Sequence, residues 1–382
     1  MKVVHLLPAL EQGGVETVVC DLVKALGRNV GIWKYGNGGI DELGNGEKRE
    51  IEKWESVVVS KGGRLVGRIE AAGGRHIALD LKSKNPLTYF QRAWKLRRIL
   101  RVEKPDLVCV HSRVPAWLFV WANRKLGLKW ISYAHGANSV SRYSAVMTKG
   151  DLIVTPSRFL ADYLKSNYGT PESKIRVIPN SVDAARFDPE NLDQAFIAEK
   201  RREWGIREGD RVIMAIGRIT PVKGLDGLIK EVLSRTSGQE TASTLKLVIV
   251  GEADKHHQKY FEGLKALAAD LSRLQTNKRT IEQSVNSPVV FAGPQEKIPE
   301  CISIADEVVS ANVTKPETFG LSVIEAYAMN RPVRAKRFGG VAEVMEAVER
   351  AGKPTLREAV VELYGPERQA ERTLAAYREL LG

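Results

Sequence analysis

Two glutamates that lie eight positions apart, Glu317 and Glu325, form the chain's most informative chemical pattern. Gly320 breaks the chain just before an apolar run of helical spacing, residues 321–329, so we predict Glu317 in a loop and Glu325 inside the following helix. A helix N-terminus attracts anions, and carboxylates accept hydrogen bonds from hydroxyls. The pair therefore suits a ligand that carries both phosphates and hydroxyls, such as a nucleotide sugar. The alternative is two solvated acids near a helix start, where acidic residues are common.

A second pattern places two cations in one glycine-bounded loop. Gly217 to Gly224 follows the apolar run 212–216 and contains Arg218 and Lys223. Ligands of doubly wound sheets bind at the carboxyl ends of the strands, and both cations suit phosphate oxygens. A solvated basic loop is the alternative.

Two further loops follow predicted strands. Gly13 and Gly14 open the first predicted helix, where glycine lets the backbone approach a ligand, although a tight turn without a ligand is equally compatible. His135 and Gly136 follow the strand 130–133. This histidine could contact a sugar hydroxyl or be a structural residue with its hydrogen bonds satisfied.

The segment 81–104 holds eight Lys and Arg and one acid. Tyr89, Ala93, Leu96 and Leu100 recur at helical spacing and should face a sheet. Aromatic residues and arginines beside that stripe suit an anionic membrane surface, and an ordinary helix with a solvated basic face is the alternative. The candidate residues of this acceptor or membrane side are Arg92, Trp94, Arg97, Arg98, Arg101 and, further along the chain, Arg113.

These loops must be positioned by alternating strands and helices. Short apolar runs separated by helical patterns predict parallel sheets covered on both faces, and the order occurs twice. We therefore predict an α/β fold with two doubly wound domains, residues 1–180 and 190–365. The predicted strands are 2–7, 30–33, 76–79, 107–111, 130–133, 152–155, 175–178, 212–216, 245–250, 289–292, 307–310 and 332–335, and 230–243 and 276–287 are polar insertions.

Composition and missing motifs argue against several classes of protein. The 382 residues fit two domains, and the three cysteines are too few and too scattered for a disulfide framework or a zinc site. Neither a Gly-x-Gly-x-x-Gly nor an Asp-x-Asp occurs, which argues against a nicotinamide or flavin enzyme and against a carboxylate-held metal. The first residues read as a strand rather than a signal sequence, and the longest apolar stretch is about half a membrane span. We expect a cytoplasmic protein, with peripheral attachment to the cell membrane as a possibility.

The net charge of +12 is concentrated in the first half. Residues 1–190 carry 30 Lys and Arg against 19 Asp and Glu. Such asymmetry points to nucleic acid, an anionic membrane surface or an acidic substrate, and surplus surface lysine is the alternative.

Together these motifs resemble family 4 glycosyltransferases. The glycine pair at 13–14, His135-Gly136, the 217–224 loop, the two glutamates and the segment Gly339-Gly340-Val341-Ala342-Glu343 occur in that family's order, over about residues 2–350. The resemblance implies the GT-B architecture, in which two Rossmann-like domains face each other across a cleft. It also implies a retaining, metal-independent enzyme without a cofactor, and a C-terminal helix, about 366–382, that packs back on the first domain.

The resemblance also assigns roles by position. Arg218 and Lys223 would neutralise the diphosphate leaving group, Glu317 would bind donor-sugar hydroxyls, and His135 would lie beside that sugar. Glu325 would bind the ribose. The other donor-binding positions are Gly13, Gly14, Gly217, Pro294, Phe319, Gly320 and Leu321.

The first domain would hold a saccharide or lipid-linked acceptor, in envelope polysaccharide or lipopolysaccharide synthesis, and nucleic acid is not an expected partner. Retention without an evident protein nucleophile suggests front-face attack. Two alternatives stay open: a nucleotide-sugar epimerase, and a non-catalytic protein that binds anionic polymers. The chain departs from the family pattern at Ser181, Arg334 and Lys336.

Overall fold

The computed structural model describes residues 1–11, 13–27, 54–236, 245–276, 287–312 and 314–382. This part of the chain forms two compact units. The first consists of residues 1–181 and 365–382, and the second of residues 182–364. Each unit is built on a parallel sheet, which confirms the predicted fold class of two Rossmann-like α/β units.

The first unit contains the following strands and helices: β1 (Lys2–Leu6), α1 (Gly14–Gly27), β2 (Glu55–Ser60), α2 (Val66–Ala71), β3 (Arg75–Ala78), α3 (Tyr89–Glu103), β4 (Leu107–Val110), α4 (Arg113–Asn123), β5 (Trp130–Tyr133), β6 (Leu152–Thr155), α5 (Arg158–Tyr168) and β7 (Ile175–Val177). Its sheet has the order β3-β2-β1-β4-β5-β6-β7. The order reverses between β1 and β4, and ligands of open α/β sheets bind outside the carboxyl ends at such a point.

Alternation along the strands divides the core of this unit between the two faces of the sheet. Val4 and Val108 pack with α3 and α4, in a cluster that includes Ala93, Leu96 and Leu100 as the helical stripe predicts. Val3 and Cys109 pack on the opposite face with the helix at the end of the chain. Near-continuous apolar strands are expected where helices cover both faces.

The second unit contains these elements: α6 (Gln194–Glu203), β8 (Arg211–Ile216), α7 (Leu225–Thr236), β9 (Leu245–Val250), α8 (Gln258–Thr276), β10 (Val289–Gly293), α9 (Ile298–Ile304), β11 (Glu307–Ser310), α10 (Leu321–Ala328), β12 (Val333–Ala335), α11 (Gly340–Arg350) and α12 (Leu356–Tyr364). The sheet order β10-β9-β8-β11-β12 reverses between β8 and β11.

The last helix, α13 (Pro366–Leu381), belongs to the first unit. It packs against α1, and its Leu374 and Tyr377 join the core beside Cys109. The fully buried Tyr377 contacts the ring of Trp54 at 5.2 Å between centroids. The first strand and the last helix of the chain therefore share one hydrophobic core in the first unit.

The sequence analysis missed one strand, and three of its predictions need correction or fall outside the described residues. Strand β2 was not predicted, although Val57–Val59 is a run of β-branched residues. The supposed insertion at 230–243 was wrong in its first part, because α7 continues through Thr236. The strand predicted at 30–33, residues 237–243 and most of the insertion at 276–287 lie outside the described residues.

Candidate active site

In the second unit, the sequence-predicted cations lie where the sheet order reverses. A pocket at the carboxyl ends of β8 and β11 is lined by Gly217, Arg218 and Lys223 from the loop after β8. Ser310 at the end of β11 and Ser322 in the first turn of α10 complete its polar side. Arg218 is exposed and Lys223 is half-buried. The pocket thus combines two cations and two hydroxyls at the edge where phosphate ligands of such sheets bind.

Close backbone packing shapes this edge. Gly217 and Gly251, which follow β8 and β9, have φ of 137° and 144°. A Cβ added at Gly251 would lie 1.9 Å from the carbonyl oxygen of Gly217, so only glycine fits there. Gly251 was not predicted as a site residue. Its position directly after a predicted strand could have identified it, because ligands of such sheets bind at the carboxyl ends of the strands.

The loop that carries Glu317 packs against the glycine pair Gly339 and Gly340 at the start of α11. The Gly340 N–H donates to the Glu317 carbonyl oxygen at 2.8 Å. A Cβ at Gly340 would lie 2.1 Å from the carbonyl oxygen of Thr318, and one at Gly339 would meet Pro316 at 2.5 Å. The glycine pair therefore lets the backbone at the start of α11 pack directly against the glutamate loop. This contact fixes the position of that loop.

Lys223, which lines this pocket, forms a direct ion pair with Glu317. The Lys223 and Glu317 side chains are 29% and 15% exposed, so solvent screens the pair only in part. As predicted, Glu317 lies in the loop ahead of α10, and Glu325 lies inside that helix and is half-buried. Gly320 has φ of 97° directly before Leu321, the first residue of the helix, and Phe319 is buried. Pro294 follows β10 and is exposed.

The departures from the family pattern have partners in the structure. Arg334 on β12 pairs with Glu307 at 3.2 Å and with Glu231 of α7 at 3.0 Å. Lys336 lies over the ring of Phe338 at 5.0 Å. In the first unit, Ser181 donates from its hydroxyl to Oε1 of Gln369 at 2.8 Å, and both residues are buried. The unusual side chains are thus accommodated by specific neighbours.

The first unit brings three histidines together at the carboxyl edge of its sheet. His5 is in β1, His111 directly follows β4, and His135 comes two residues after β5. His5 Nδ1 lies 3.1 Å from His111 Nε2, and His111 Nδ1 lies 3.0 Å from His135 Nε2. His111 also stacks on Tyr133 at 4.6 Å between centroids. The sequence indicated only His135, although the other two occupy equivalent places on neighbouring strands.

Burial sets the charge state of this row, which we call the histidine chain. It lowers the pKa of His5 and of His135 to about 4. The pKa of His111 is also lowered well below its ordinary value, by burial first and then by His135 and His5. All three rings are therefore neutral near neutral pH. A small pocket beside them is lined by His135, Asn180 and Gln369.

Gly13 and Gly14 lie at the start of α1, as predicted. The carbonyl oxygen of Gly13 accepts a hydrogen bond from Thr17 N–H at 3.0 Å. A Cβ at Gly13 would meet only the flexible carboxylate of Glu16, so packing within the unit does not by itself demand glycine at this position.

The predicted basic face on α3 is smaller than the sequence suggested. Arg92 is 6% exposed and its guanidinium binds Thr88 and the carbonyl oxygens of Asp80 and Asn85, so its assignment to an open surface was wrong. Arg97 is half-buried on Trp121, and it donates to the carbonyls of Trp121 and Ala122 at the end of α4.

The exposed part of that face consists of fewer residues. Phe90 and Trp94 are 62% and 49% exposed, and Arg98 lies over the Trp94 ring at 5.0 Å. Arg101 is also exposed. Arg113 is half-buried and donates to the Ser144 hydroxyl at 3.1 Å, beneath the Tyr143 ring. Helical spacing alone could not distinguish arginines that donate to backbone carbonyl oxygens from arginines that face solvent.

Two features of the described residues bear on cofactors and membranes. No group of three or more His, Cys, Asp or Glu side chains in this part of the chain could hold a metal ion. No helix within the described ranges is both long and apolar enough to cross a bilayer.

Two family models together span nearly all of the chain. Glycosyltransferase Family 4 matches residues 12–186, and Glycosyl transferases group 1 matches residues 196–363. The chain therefore belongs to the family 4 glycosyltransferases, as its motifs predicted. This membership favours sugar transfer over the epimerase and the polymer-binding alternatives.

Individual relatives agree with this assignment. A D-inositol 3-phosphate glycosyltransferase of Acidothermus cellulolyticus is 33% identical over 201 residues, which are 51% of this chain and 40% of that protein. The match thus spans about two fifths of the relative's length.

Solved structures show the same fold. Anabaena HepE in complex with UDP and glucose superimposes with a TM-score of 0.74 at 16% identity, and all of both chains is covered. The lipopolysaccharide outer core galactosyltransferase WaaB, in its apo form, gives a TM-score of 0.61 at 14% identity, again over all of both chains. The GT-B fold predicted from the sequence is therefore confirmed.

Proposed function

We propose that this protein transfers a sugar from a nucleotide diphosphate sugar to a saccharide or lipid-linked acceptor, with retention and without a metal. The observation that carries the proposal is the second-unit pocket. It places Arg218, Lys223 and Ser322 at the carboxyl edge of the sheet, with Glu317 in direct contact with Lys223. A pocket of cations and hydroxyls, with a carboxylate in contact with one of the cations, complements a diphosphate joined to a sugar.

The roles follow from charge. Breaking the glycosidic bond places negative charge on the departing diphosphate, which Arg218, Lys223 and the start of α10 would stabilise. Glu317 would accept hydrogen bonds from sugar hydroxyls and Glu325 from the ribose. Attack would occur on the same face, with the departing phosphate taking the acceptor proton. A covalent sugar adduct trapped on Glu317 would contradict this mechanism.

Thermal shift against UDP-, GDP- and ADP-sugars, with a chelator present, tests donor binding. A ligand that binds the folded state raises its Tm by mass action. We expect a shift with one nucleotide that is lost in Arg218→Ala and in Glu325→Ala. Arg211→Ala is the matched control, because Arg211 is an exposed arginine at the opposite end of β8.

Two results would overturn this assignment. If no nucleotide sugar shifts the folded wild-type protein and salt-sensitive binding to anionic polymers is found instead, the polymer-binding alternative gains. A shift that requires added divalent cation would contradict metal independence.

The proposed function also includes the place where the protein meets its acceptor. We propose that α3 docks the protein on the anionic inner face of the cell membrane, where a lipid-linked acceptor for envelope polysaccharide would lie. The basic first half and the exposed Phe90, Trp94, Arg98 and Arg101 support this placement. Cations attract anionic headgroups and aromatic rings insert at the interface.

Sedimentation with lipid vesicles tests the docking. Binding should rise with the anionic lipid fraction and fall with salt, and Phe90→Ser with Trp94→Ser should weaken it about tenfold or more, given the apolar area removed. Val177→Ser is the control, since Val177 is exposed on β7 of the same unit. Equal binding to zwitterionic vesicles, or an unaffected double variant, would contradict docking by this face.

A further inference from the structure

A short turn directly before α3 carries the most exposed large apolar side chain of the described residues. Pro86–Thr88 forms one turn of 3₁₀ helix, and Leu87 at its centre is 90% exposed. A single exposed leucine needs no explanation, but Phe90 and Trp94, three and seven positions later, are also exposed. Residues at this spacing lie on one side of a helix, so the turn extends an apolar side of α3.

Hydrogen bonds within the segment fix the shape of this turn. The Leu87 N–H donates to Asn85 Oδ1 at 2.9 Å, and the Thr88 hydroxyl donates to the Asn85 carbonyl oxygen at 3.3 Å. Pro86 occupies the first position of the turn, where its fixed φ suits a helical start and no N–H is needed. The exposed leucine is therefore presented by a preformed structure rather than by a loose loop.

Arg92 holds the turn from the inner side of α3. Its buried guanidinium donates from Nε to the Thr88 hydroxyl at 3.1 Å and from Nη2 to the Asn85 carbonyl oxygen at 3.1 Å. Nη1 donates to the carbonyl oxygen of Asp80 at 3.3 Å. The planar fork of arginine makes such bonds in fixed directions, which the single flexible charge of lysine cannot reproduce. This cation therefore sets the geometry of the turn instead of adding to the surface charge.

The charge around the turn indicates what covers it. From residue 82 to residue 102 the chain carries seven Lys and Arg and no Asp or Glu. Lys82 and Lys84 are exposed before the turn, and Lys95 and Arg98 are exposed after it. An apolar tip surrounded by cations complements a bilayer with anionic headgroups above a hydrocarbon interior. A second copy of the chain would bring the same positive charge to this surface.

We propose that the turn 85–88 is a membrane anchor whose Leu87 enters the acyl-chain region of an anionic bilayer, and that Arg92 is a positioning residue that holds the anchor in shape. This inference rests on the proposed docking of α3 and adds its geometry. Beyond Trp94 the same side of the helix continues as Arg98 and Arg101, which suit the headgroups. The insertion is therefore confined to the N-terminal end of α3.

The depth of each end of α3 can be measured with a fluorescent label. Cys20, Cys109 and Cys301 are buried, so one exposed cysteine can be labelled selectively in the full chain. Leu87→Cys and Val102→Cys each receive a nitrobenzoxadiazole label and are bound to phosphatidylglycerol vesicles with bromine on the acyl chains. Val102 is the matched position, because it is 77% exposed and lies about 22 Å further along the helix.

We expect the bromines to quench the label at position 87 and to leave the label at position 102 unquenched. Equal quenching at both positions would show that α3 lies flat on the bilayer, and it would overturn the anchor. An unquenched label at position 87 on vesicle-bound protein would overturn it as well, because the protein would then be held by charge alone.

Substitutions test the two named residues separately. Leu87→Ser should weaken vesicle binding about tenfold, given the apolar area removed from the bilayer, and Val102→Ser should not change it. Arg92→Lys keeps the charge but loses the fork, so binding should fall severalfold. Arg64→Lys, at an exposed arginine before α2, is its control and should bind as the wild type does. Full binding by a folded Arg92→Lys protein would contradict the positioning role.

The outcomes distinguish this inference from the function on which it rests. Binding that survives Leu87→Ser but is lost in Phe90→Ser with Trp94→Ser overturns the anchor and leaves the docking of α3 in place. A wild-type protein that binds no anionic vesicle refutes the docking and the anchor together. Sugar transfer is tested independently of both, because the thermal shift with nucleotide sugars needs no membrane. Since Leu87 is exposed, its substitution does not threaten the fold, and the Tm of each variant confirms this.

Discussion

At the scale of single residues, the ion pair between Lys223 and Glu317 links the two chemical tasks proposed for the second-unit pocket. The two side chains are in direct contact in the structure. An incoming diphosphate would compete with Glu317 for Lys223, and an incoming sugar would compete with Lys223 for Glu317. A nucleotide sugar can satisfy both partners at once, so the pair stays compensated when the whole donor binds.

Glu317→Gln separates the two tasks. The amide removes the negative charge beside Lys223, so a nucleoside diphosphate without a sugar should bind at least as tightly as to the wild type. Sugar transfer should fall about 10- to 100-fold, because a charged acceptor of hydroxyl hydrogen bonds is lost. Calorimetry with the diphosphate and an activity assay measure the two effects.

The matched control is Glu346→Gln, on the exposed face of α11, where the carboxylate lies 3.5 Å from Arg350. It should change neither quantity. Weaker diphosphate binding in Glu317→Gln would contradict the proposed competition for Lys223.

At the scale of elements, the start of α11 determines where the glutamate loop lies. Gly340→Ala would place a methyl group 2.1 Å from the carbonyl oxygen of Thr318, and backbone cannot move aside as a flexible side chain can. The loop must shift, which should cost about 1–3 kcal/mol of stability and displace Glu317. We expect a lower Tm and loss of sugar transfer.

Gly263→Ala is the control for this substitution. Gly263 lies inside α8, and a Cβ there would meet nothing within 4 Å. Alanine favours a helix over glycine by up to about 1 kcal/mol, so this variant should be as stable as the wild type or more stable, with unchanged activity. A stable, active Gly340→Ala protein would show that the glycine pair does not fix the loop.

Strands and helices could be predicted from the sequence wherever a local pattern of residues marks them. The alternation of apolar runs and helical patterns identified most strands of both sheets, because strands covered on both faces need uninterrupted apolar residues. Strand β2 was missed because its short valine run is flanked by serines and, one position further out, by Glu55 and Lys61. The sequence also placed Glu317 before α10 and Arg218 after β8, since a glycine or a strand end marks each position locally.

Contacts between distant segments could not be predicted in the same way. His5 and His111 are 106 positions apart and become neighbours only because β1 pairs with β4. Gln369 reaches Ser181 across 188 positions because α13 belongs to the first unit. Arg92 looked like a surface cation because helical spacing cannot show that the carbonyls of Asp80 and Asn85 lie within its reach. Such contacts depend on topology, which one sequence specifies only indirectly.

At the scale of the whole molecule, the three buried histidines tie stability to pH. In the folded state burial lowers the pKa of His5 and of His135 from 6.5 to about 4, and it lowers the pKa of His111 well below its ordinary value. Between these values the unfolded chain binds protons that the folded chain excludes. The free energy of unfolding should therefore be highest above about pH 6.5 and fall as the pH is lowered toward 4, with each histidine contributing a slope of up to about 1.4 kcal/mol per pH unit.

Denaturant titrations followed by tryptophan fluorescence measure this slope, and six of the seven tryptophans lie within residues 1–181, the part that contains all three histidines. His5→Phe should lower the slope between about pH 6 and pH 5 by up to about 1.4 kcal/mol per pH unit, because the proton uptake of one buried histidine is removed. The same variant at about pH 8, where histidines are neutral in both states, reports the packing change alone and serves as the control. If the slope is unchanged in His5→Phe, the acid sensitivity arises elsewhere in the chain. If the wild type shows no loss of stability at all in this range, the rings take up protons while folded, and the neutral state that burial gives the three rings is refuted.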